Sequence, residues 1–137
     1  MSGEKELAKL IASMEPVLLP QEYVFATFEN CDYQRLETLN PIGTFLEKEG
    51  MSVIIEKCMA DKHEIPYSGV FKCITLNVHS SLDAVGLTAA ISTTLTQSNI
   101  SANVVAGYYH DHIFVNVADA NRAIADLCTL AENGLVN

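Results

Sequence analysis

The residues best placed to bind a small molecule lie where a strand-like run meets a helical pattern in the second half of the chain. Ser80 and Asp83 have the spacing of a capping box, in which a serine and an acid three residues later satisfy the first N–H groups of a helix. N–H groups at a helix start also favour a carboxylate, and Gly86 would let another group approach the backbone closely. The pattern predicts either a carboxylate-binding helix start or a helix that only caps itself and packs tightly on its sheet.

A second group of reactive side chains is His110-Asp111-His112, which together with His79 could ligate a transition metal. The triplet falls at the tip of a predicted hairpin, where short polar residues serve turn geometry. Both rings would have to lie on one side of the chain, and the turn disrupts simple alternation. We therefore expect no metal site here, and a histidine that donates to a backbone carbonyl or touches a ligand instead.

No arrangement of side chains in the sequence is typical of an enzyme. Ser80 follows His79 but lacks the Gly-x-Ser-x-Gly turn of many serine hydrolases. The chain contains no glycine-rich phosphate loop. Glu47, Glu49 and Glu56 lie among lysines, which is typical of a solvated surface. We expect no catalytic residues and no cofactor.

Composition excludes several kinds of partner. The 137 residues carry a net charge of −9, with only eight Lys and Arg, and none of these lies between residues 73 and 121. Nucleic acids and ligands with several phosphates need more basic residues than this. No apolar run approaches the roughly 20 residues that span a bilayer, and the acidic N-terminus does not resemble a signal peptide. We therefore expect a cytoplasmic protein that binds neither nucleic acid nor membrane.

Hydrophobic periodicity predicts the elements that would position these residues. In the first half, a helix carries Leu7, Leu10, Ile11 and Met14 on one face and is ended by Pro16. Residues 22–29 and 51–56 alternate as strands. The intervening segments are assigned as a loop at 30–41, a short turn or helix at 43–49, and a short helix at 58–64.

The second half has a clearer pattern. Residues 70–79 form a strand, and a helix follows from the capping box to about Ser98. Residues 102–108 and 112–117 form a hairpin, and a last helix starts after Asp119 and stops before Gly134. This order predicts an α+β fold with two ferredoxin-like units, in which helices cover one face of antiparallel sheets. We place the units at residues 1–68 and 69–137.

Two long segments resemble a known family, residues 78–91 (VHSSLDAVGLTAAI) and 99–115 (NISANVVAGYYHDHIFV). Shorter pieces at 22–26 (EYVFA) and 47–52 (EKEGMS) are also similar. Together they resemble the small bacterial ACT-domain proteins that carry a tandem, aspartate-kinase-like ACT pair with no enzyme attached. The resemblance implies two βαββαβ units. Since the C-terminal unit lacks an obvious last strand after Leu130, a strand from the first half is a candidate to complete its sheet.

The resemblance also implies a regulatory module that binds an amino acid or similar small carboxylate near the first strand-to-helix turn, often between two ACT units. This implies a homo-oligomer, with Asp83 facing the ligand's ammonium group. Backbone groups of the following strand could contribute if the sheet edge is open, and Asn103, a poor strand former, has either this role or a role in capping the strand. The expected ligand contacts are Leu82, Asp83, Ala84, Val85, Gly86, Leu87, Thr88, Asn103, Val104 and Val105. The alternative is an oligomerisation or protein-interaction module that has kept no ligand site and pairs through an exposed strand edge.

Overall fold

The structure, a computed structural model, describes residues 3–78 and 86–134. Its helices are α1 (Gly3–Ala12), α2 (Tyr33–Leu39), α3 (Lys57–Lys62), α4 (Leu87–Gln97) and α5 (Ala120–Asn133). Its strands are β1 (Pro16–Phe28), β2 (Gly43–Glu47), β3 (Gly50–Glu56), β4 (Phe71–Leu76), β5 (Ala102–Ala106) and β6 (Asp111–Asn116). The fold is therefore α+β, as the hydrophobic pattern predicts.

The chain forms two compact units, and one of them is discontinuous in sequence. The discontinuous unit contains residues 1–19 and 72–137, and the inserted unit contains residues 20–71. This differs from the predicted division at residues 68 and 69, because the first 19 residues group with the C-terminal part of the chain. Their apolar side chains supply the reason, since Ile11 and Met14 are buried in the same core as Ile74 and Leu127.

In the discontinuous unit the strand order is β1-β4-β6-β5, with β1 represented by residues 16–19. The Asn77 N–H donates to the Glu15 carbonyl oxygen at 3.4 Å, just before β1 begins and after β4 ends. The start of β1 thus supplies the strand that the sequence of the C-terminal unit lacks. The expectation that a strand from the first half completes this sheet is confirmed.

The core of the discontinuous unit lies between its strands and helices α1, α4 and α5. Alternate residues of β4 and β6 face this core because side chains on a strand alternate between its two faces. The apolar stripes of the helices cover them at helical spacing. The buried residues that form this layer are Ile74, Leu76, Leu87, Ile91, Leu95, Ile113, Val115, Ala123 and Leu127.

The inserted unit has the strand order β2-β3-β1, and both pairings are antiparallel. Val24 of β1 and Val53 and Ile55 of β3 are fully buried, with Leu39 and Ala60 from the two short helices. These are the faces that the alternation of residues 22–29 and 51–56 predicts. The strand predicted at residues 22–29 begins earlier than expected, since β1 starts at Pro16.

Two predictions for the inserted unit are wrong. Residues 30–41 contain α2, whose N-cap Asp32 accepts a hydrogen bond from the Arg35 N–H at 2.9 Å, while Asn40 ends the helix in the left-handed conformation. The Asp and Asn that make the segment resemble a loop are therefore its two caps. Residues 43–47 form β2 instead of a turn or helix, because Gly43 to Glu47 pair with β3 across a tight turn.

We expect Leu127→Ala to lower the free energy of unfolding by about 2–5 kcal/mol, because it removes a fully buried side chain and leaves a cavity. Leu46→Ala is the matched control, since Leu46 is 74% exposed on β2 and its loss should change stability by less than about 0.5 kcal/mol. Urea unfolding followed by circular dichroism measures both values. Equal effects of the two substitutions would contradict the assigned core.

Candidate functional site

The N-terminal end of α4 presents backbone donors that the helix itself does not use. Gly86 is the N-cap, with φ 97° in the left-handed region. The first hydrogen bond of the helix runs from the Ala90 N–H to the Gly86 carbonyl oxygen at 2.9 Å. The N–H groups of Leu87, Thr88 and Ala89 therefore precede the helical ladder, as the first donors of any helix do. This end of α4 can accept a carboxylate.

The position of this helix start corrects the sequence prediction. The capping box at Ser80 and Asp83 lies outside the described residues, as do the predicted contacts Leu82, Ala84 and Val85. Since a residue at φ 97° cannot belong to a right-handed helix, α4 begins at Leu87, later than the helix start predicted from the sequence. Of the predicted turn, the structure describes Gly86, Leu87 and Thr88.

Gly86 meets two structural requirements that any other residue would violate. Its positive φ is a conformation that residues with a Cβ rarely adopt. A Cβ at this position would also lie 3.1 Å from Cδ2 of Leu7 on α1. The sequence analysis gave close packing of the helix on its sheet as the alternative role of Gly86. Close packing is present, but the neighbour of Gly86 is Leu7 of helix α1 and not the sheet.

The other three predicted contacts lie on β5, the last strand in the order of the discontinuous unit. Asn103, Val104 and Val105 pair with Phe114, Ile113 and His112 of β6, respectively. Val104 packs against the core, whereas Asn103 and Val105 are exposed on the opposite face. Strand β5 therefore has an edge on the side away from β6, the condition under which the sequence predicts backbone contacts to a ligand.

Within one chain, Asn103 and Gly86 lie toward opposite ends of α4. The 11 residues of α4 rise by about 1.5 Å each, which separates its ends by about 15 Å. Four residues, 98–101, connect α4 to β5, so Asn103 lies near the C-terminal end of the helix. Val105 lies two positions further along β5. Among the predicted contacts that the structure describes, Gly86 and Asn103 are therefore separated along the helix.

His110 and His112 of the histidine triplet contact different residues. Nδ1 of His112 lies 3.0 Å from Oγ1 of Thr75 on the neighbouring strand β4. Nδ1 of His110 lies 3.5 Å from the Val78 carbonyl oxygen, in position to donate. The second contact is the kind of carbonyl contact that the sequence favours for these residues. Within residues 3–78 and 86–134 we find no cluster of three or more His, Cys, Asp or Glu arranged to hold a metal ion.

Thr75 is a buried polar residue that the sequence analysis did not identify. It is buried, and it lies on the face of β4 opposite Ile74 and Leu76. Its hydroxyl is also 3.9 Å from Sγ of Cys73. The alternation of β4 could have revealed Thr75 as a polar residue on a buried strand, but not that His112, 37 positions later, would be its partner.

Burial determines the electrostatics of this polar pair. Loss of water around the ring lowers the pKa of His112, the nearby His110 lowers it further, and Asp111 opposes both effects. A side chain at Gly107 would lie 3.2 Å from Nε2 of His112, so the glycine leaves room for the ring. Burial likewise raises the pKa of the Cys73 thiol, which keeps it protonated and unreactive. This corner of the sheet stabilises a neutral imidazole.

We expect the free energy of unfolding to fall as the pH drops from about 7.5 to 5.5, because His112 in the unfolded chain takes up a proton near pH 6.5, before it does in the fold. The His112→Asn variant should show a flatter dependence over this window. His63→Asn removes an exposed imidazole and should keep the slope of the original protein. Urea unfolding at several pH values measures these slopes, and identical slopes for the His112 variant and the original protein would refute the assignment.

Comparison with known proteins places this geometry in a family. ACT-domain family models match residues 2–72 and residues 70–129. No curated protein matches the sequence at a significant level. No described helix is long and apolar enough to cross a membrane.

Solved structures give the same result. A Vibrio cholerae protein of unknown function, described as a possible transport protein, is 46% identical, with a TM-score of 0.85 over 95% of this chain and 99% of that one. The regulatory subunit of aspartate kinase from Thermus thermophilus shares the fold at 7% identity, with a TM-score of 0.58 over 85% of this chain and 97% of that one. Aspartate kinase from Clostridium acetobutylicum, at 12% identity and a TM-score of 0.60, covers 83% of this chain with 33% of its own length. The chain therefore belongs to the ACT-domain family and carries two ACT domains in tandem.

Proposed function

We propose that this protein is a non-catalytic regulatory module that senses an amino acid or a similar small carboxylate at the N-terminal end of α4. The observation that carries the proposal is the set of N–H groups of Leu87, Thr88 and Ala89, which precede the first helical hydrogen bond at Ala90. They supply a carboxylate site without a cation, in a chain that has no Lys or Arg between residues 73 and 121.

Membership of the ACT family supports a regulatory role, because ACT domains are typically ligand-binding regulatory modules. The fold is shared with the regulatory subunit of an aspartate kinase. By analogy, ligand binding here would change a contact with a partner or a second copy of the chain. Such a change requires that the ligand bind the two states with different affinities.

The separation of Gly86 from Asn103 along α4 supports a site shared between two copies of the chain. Asn103 lies near the C-terminal end of α4 and Gly86 is at its N-terminal end, so a small ligand cannot touch both in one protomer. A second copy could present its β5 residues to the α4 start of the first. Dimer formation would then be linked to ligand binding, and light scattering with and without the ligand would measure it.

A screen of the twenty amino acids by thermal unfolding tests the proposal. A ligand that binds only the folded chain, at a concentration 100 times its dissociation constant, adds about 2.7 kcal/mol of stability. We expect one amino acid, or a small group of similar ones, to raise the melting temperature. The absence of any shift across the whole set would contradict amino-acid sensing.

The variant Thr88→Asp locates the site. Thr88 is exposed in the first turn of α4. At this position the helix dipole stabilises a negatively charged side chain by about 0.3–1 kcal/mol. We expect the unliganded variant to be at least as stable as the original protein and to bind the ligand more weakly, because its own carboxylate repels that of the ligand. Thr88→Asn is the matched neutral control and should retain binding. Equal ligand affinity in the two variants would show that the ligand binds elsewhere.

One observation favours a second function, that of an interaction module. Phe45 and Leu46 of β2 are 72% and 74% exposed, and β2 is the outermost strand of the inserted unit. Exposed apolar side chains on an edge strand suit strand addition by another polypeptide. Under this hypothesis the molecular mass measured by light scattering would not change with any metabolite. Phe45→Lys would lower that mass, because the charged side chain would disrupt the contact between chains.

A further inference from the structure

The tip of the β5–β6 hairpin exposes two adjacent tyrosines. Tyr108 is 76% exposed and Tyr109 is 64% exposed. A tyrosine commonly joins a core to water, with its ring buried and its hydroxyl outside, but rings this exposed contribute little to a core. The two ring centres lie 5.0 Å apart and the ring planes meet at 75°, an edge-to-face contact. The pair therefore forms a small aromatic surface on the outside of the discontinuous unit.

The turn that carries the tyrosines has a defined shape. The Gly107 N–H donates to the His110 carbonyl oxygen at 2.9 Å. A Cβ at Gly107 would lie 2.9 Å from the same oxygen, so glycine permits this close approach. Nδ1 of His110 lies 3.5 Å from the Val78 carbonyl oxygen, which links the turn to the segment that follows β4. Because the turn is ordered in advance, a partner that binds it loses less free energy to ordering.

The charge around the hairpin tip favours a cation and not an anion. Asp111 begins β6 directly after the turn. The sequence has no Lys or Arg between residues 73 and 121, so an anionic partner would meet no basic side chain from this stretch. Burial lowers the pKa of His112, which keeps this imidazole uncharged at neutral pH. The whole chain adds to the attraction for a cation through its net charge of −9.

An arginine side chain has the chemistry that matches this surface. The face of an aromatic ring attracts a cation. A guanidinium group is planar, so it stacks on such a ring while its charge is attracted by a nearby carboxylate. Tyrosine and arginine are also the residues that most often dominate the free energy of protein–protein binding. A second copy of the chain would present the same stretch without Lys or Arg and a net charge of the same sign.

We propose that the hairpin tip, formed by Tyr108, Tyr109 and Asp111, docks a different protein through an exposed arginine of that protein. The guanidinium group stacks on a tyrosine ring, and the carboxylate of Asp111 attracts its charge. The tip contains none of the residues of the proposed ligand site at α4 and none of β2. The inference therefore rests on neither proposed function.

Titration of the full chain with the peptide GRGRG, blocked at both ends, tests the inference by nuclear magnetic resonance. We expect the backbone amide signals of Tyr108, Tyr109 and Asp111 to shift, with a dissociation constant of about 1 mM. The same peptide with citrulline in place of arginine has nearly the same shape without the charge, and it should bind at least about five-fold more weakly. No shift with GRGRG, or equal affinity for the citrulline peptide, would overturn the proposal. Equal affinity for GKGKG would overturn the assignment to arginine.

Matched variants identify the aromatic surface. Tyr108→Leu should weaken GRGRG binding by about two- to five-fold, the effect of one exposed cation–π contact, and Tyr108→Phe should retain the affinity. Tyr33→Leu is the control, since Tyr33 is 90% exposed in the inserted unit and its loss should leave binding unchanged. Unaltered affinity in both Tyr108→Leu and Tyr109→Leu would refute the site. A dimer in light scattering that Tyr108→Leu dissociates would show that a second copy occupies the tip, which contradicts the proposal.

Discussion

Ile11 and Met14 carry the N-terminal helix into the core of the discontinuous unit, where both side chains are almost fully excluded from water. Burial of one such side chain contributes about 1.5–3 kcal/mol. The same segment continues into β1, whose first residues provide the last strand of that unit. The core can therefore close only after residues separated by more than 50 positions have met. The chain between them, residues 20–71, folds as the inserted unit with a core of its own.

Helix α4 connects the core of the discontinuous unit to the proposed ligand site. Its buried face carries Leu87, Ile91 and Leu95, and its N-terminal end presents N–H groups after a left-handed glycine. At its C-terminal end, where the helix dipole is negative, the carbonyl oxygen of Ser98 accepts a hydrogen bond from Arg122. In a chain with eight basic residues and a net charge of −9, the proposed site would rely on main-chain N–H groups where many carboxylate sites use lysine or arginine.

Hydrophobic alternation predicted much of the architecture. Residues 22–29 and 51–56 lie in strands as predicted, with Val24, Val53 and Ile55 buried, and the helix predicted to end at about Ser98 buries Leu87, Ile91 and Leu95. It failed where short polar residues serve as caps, because Asp32 and Asn40 have the same composition signal whether they bound a helix or lie in a loop. It also failed at β2, whose exposed Phe45 and Leu46 follow no alternation because this edge strand has little core to cover.

The sequence by itself determined the fold class, the family and most element types, because these depend on local periodicity and on patterns of residues that lie close together in the chain. Only the tertiary structure decided where the units divide, which strand completes the C-terminal sheet, and that α4 starts at Leu87 after Gly86. The same holds for the contact of Thr75 with His112 and for the contacts of Arg122 with Asp119 and Ser98. These features depend on distances between residues far apart in sequence, or on which of two available partners a side chain reaches. Packing fixes both, and periodicity carries no information about either.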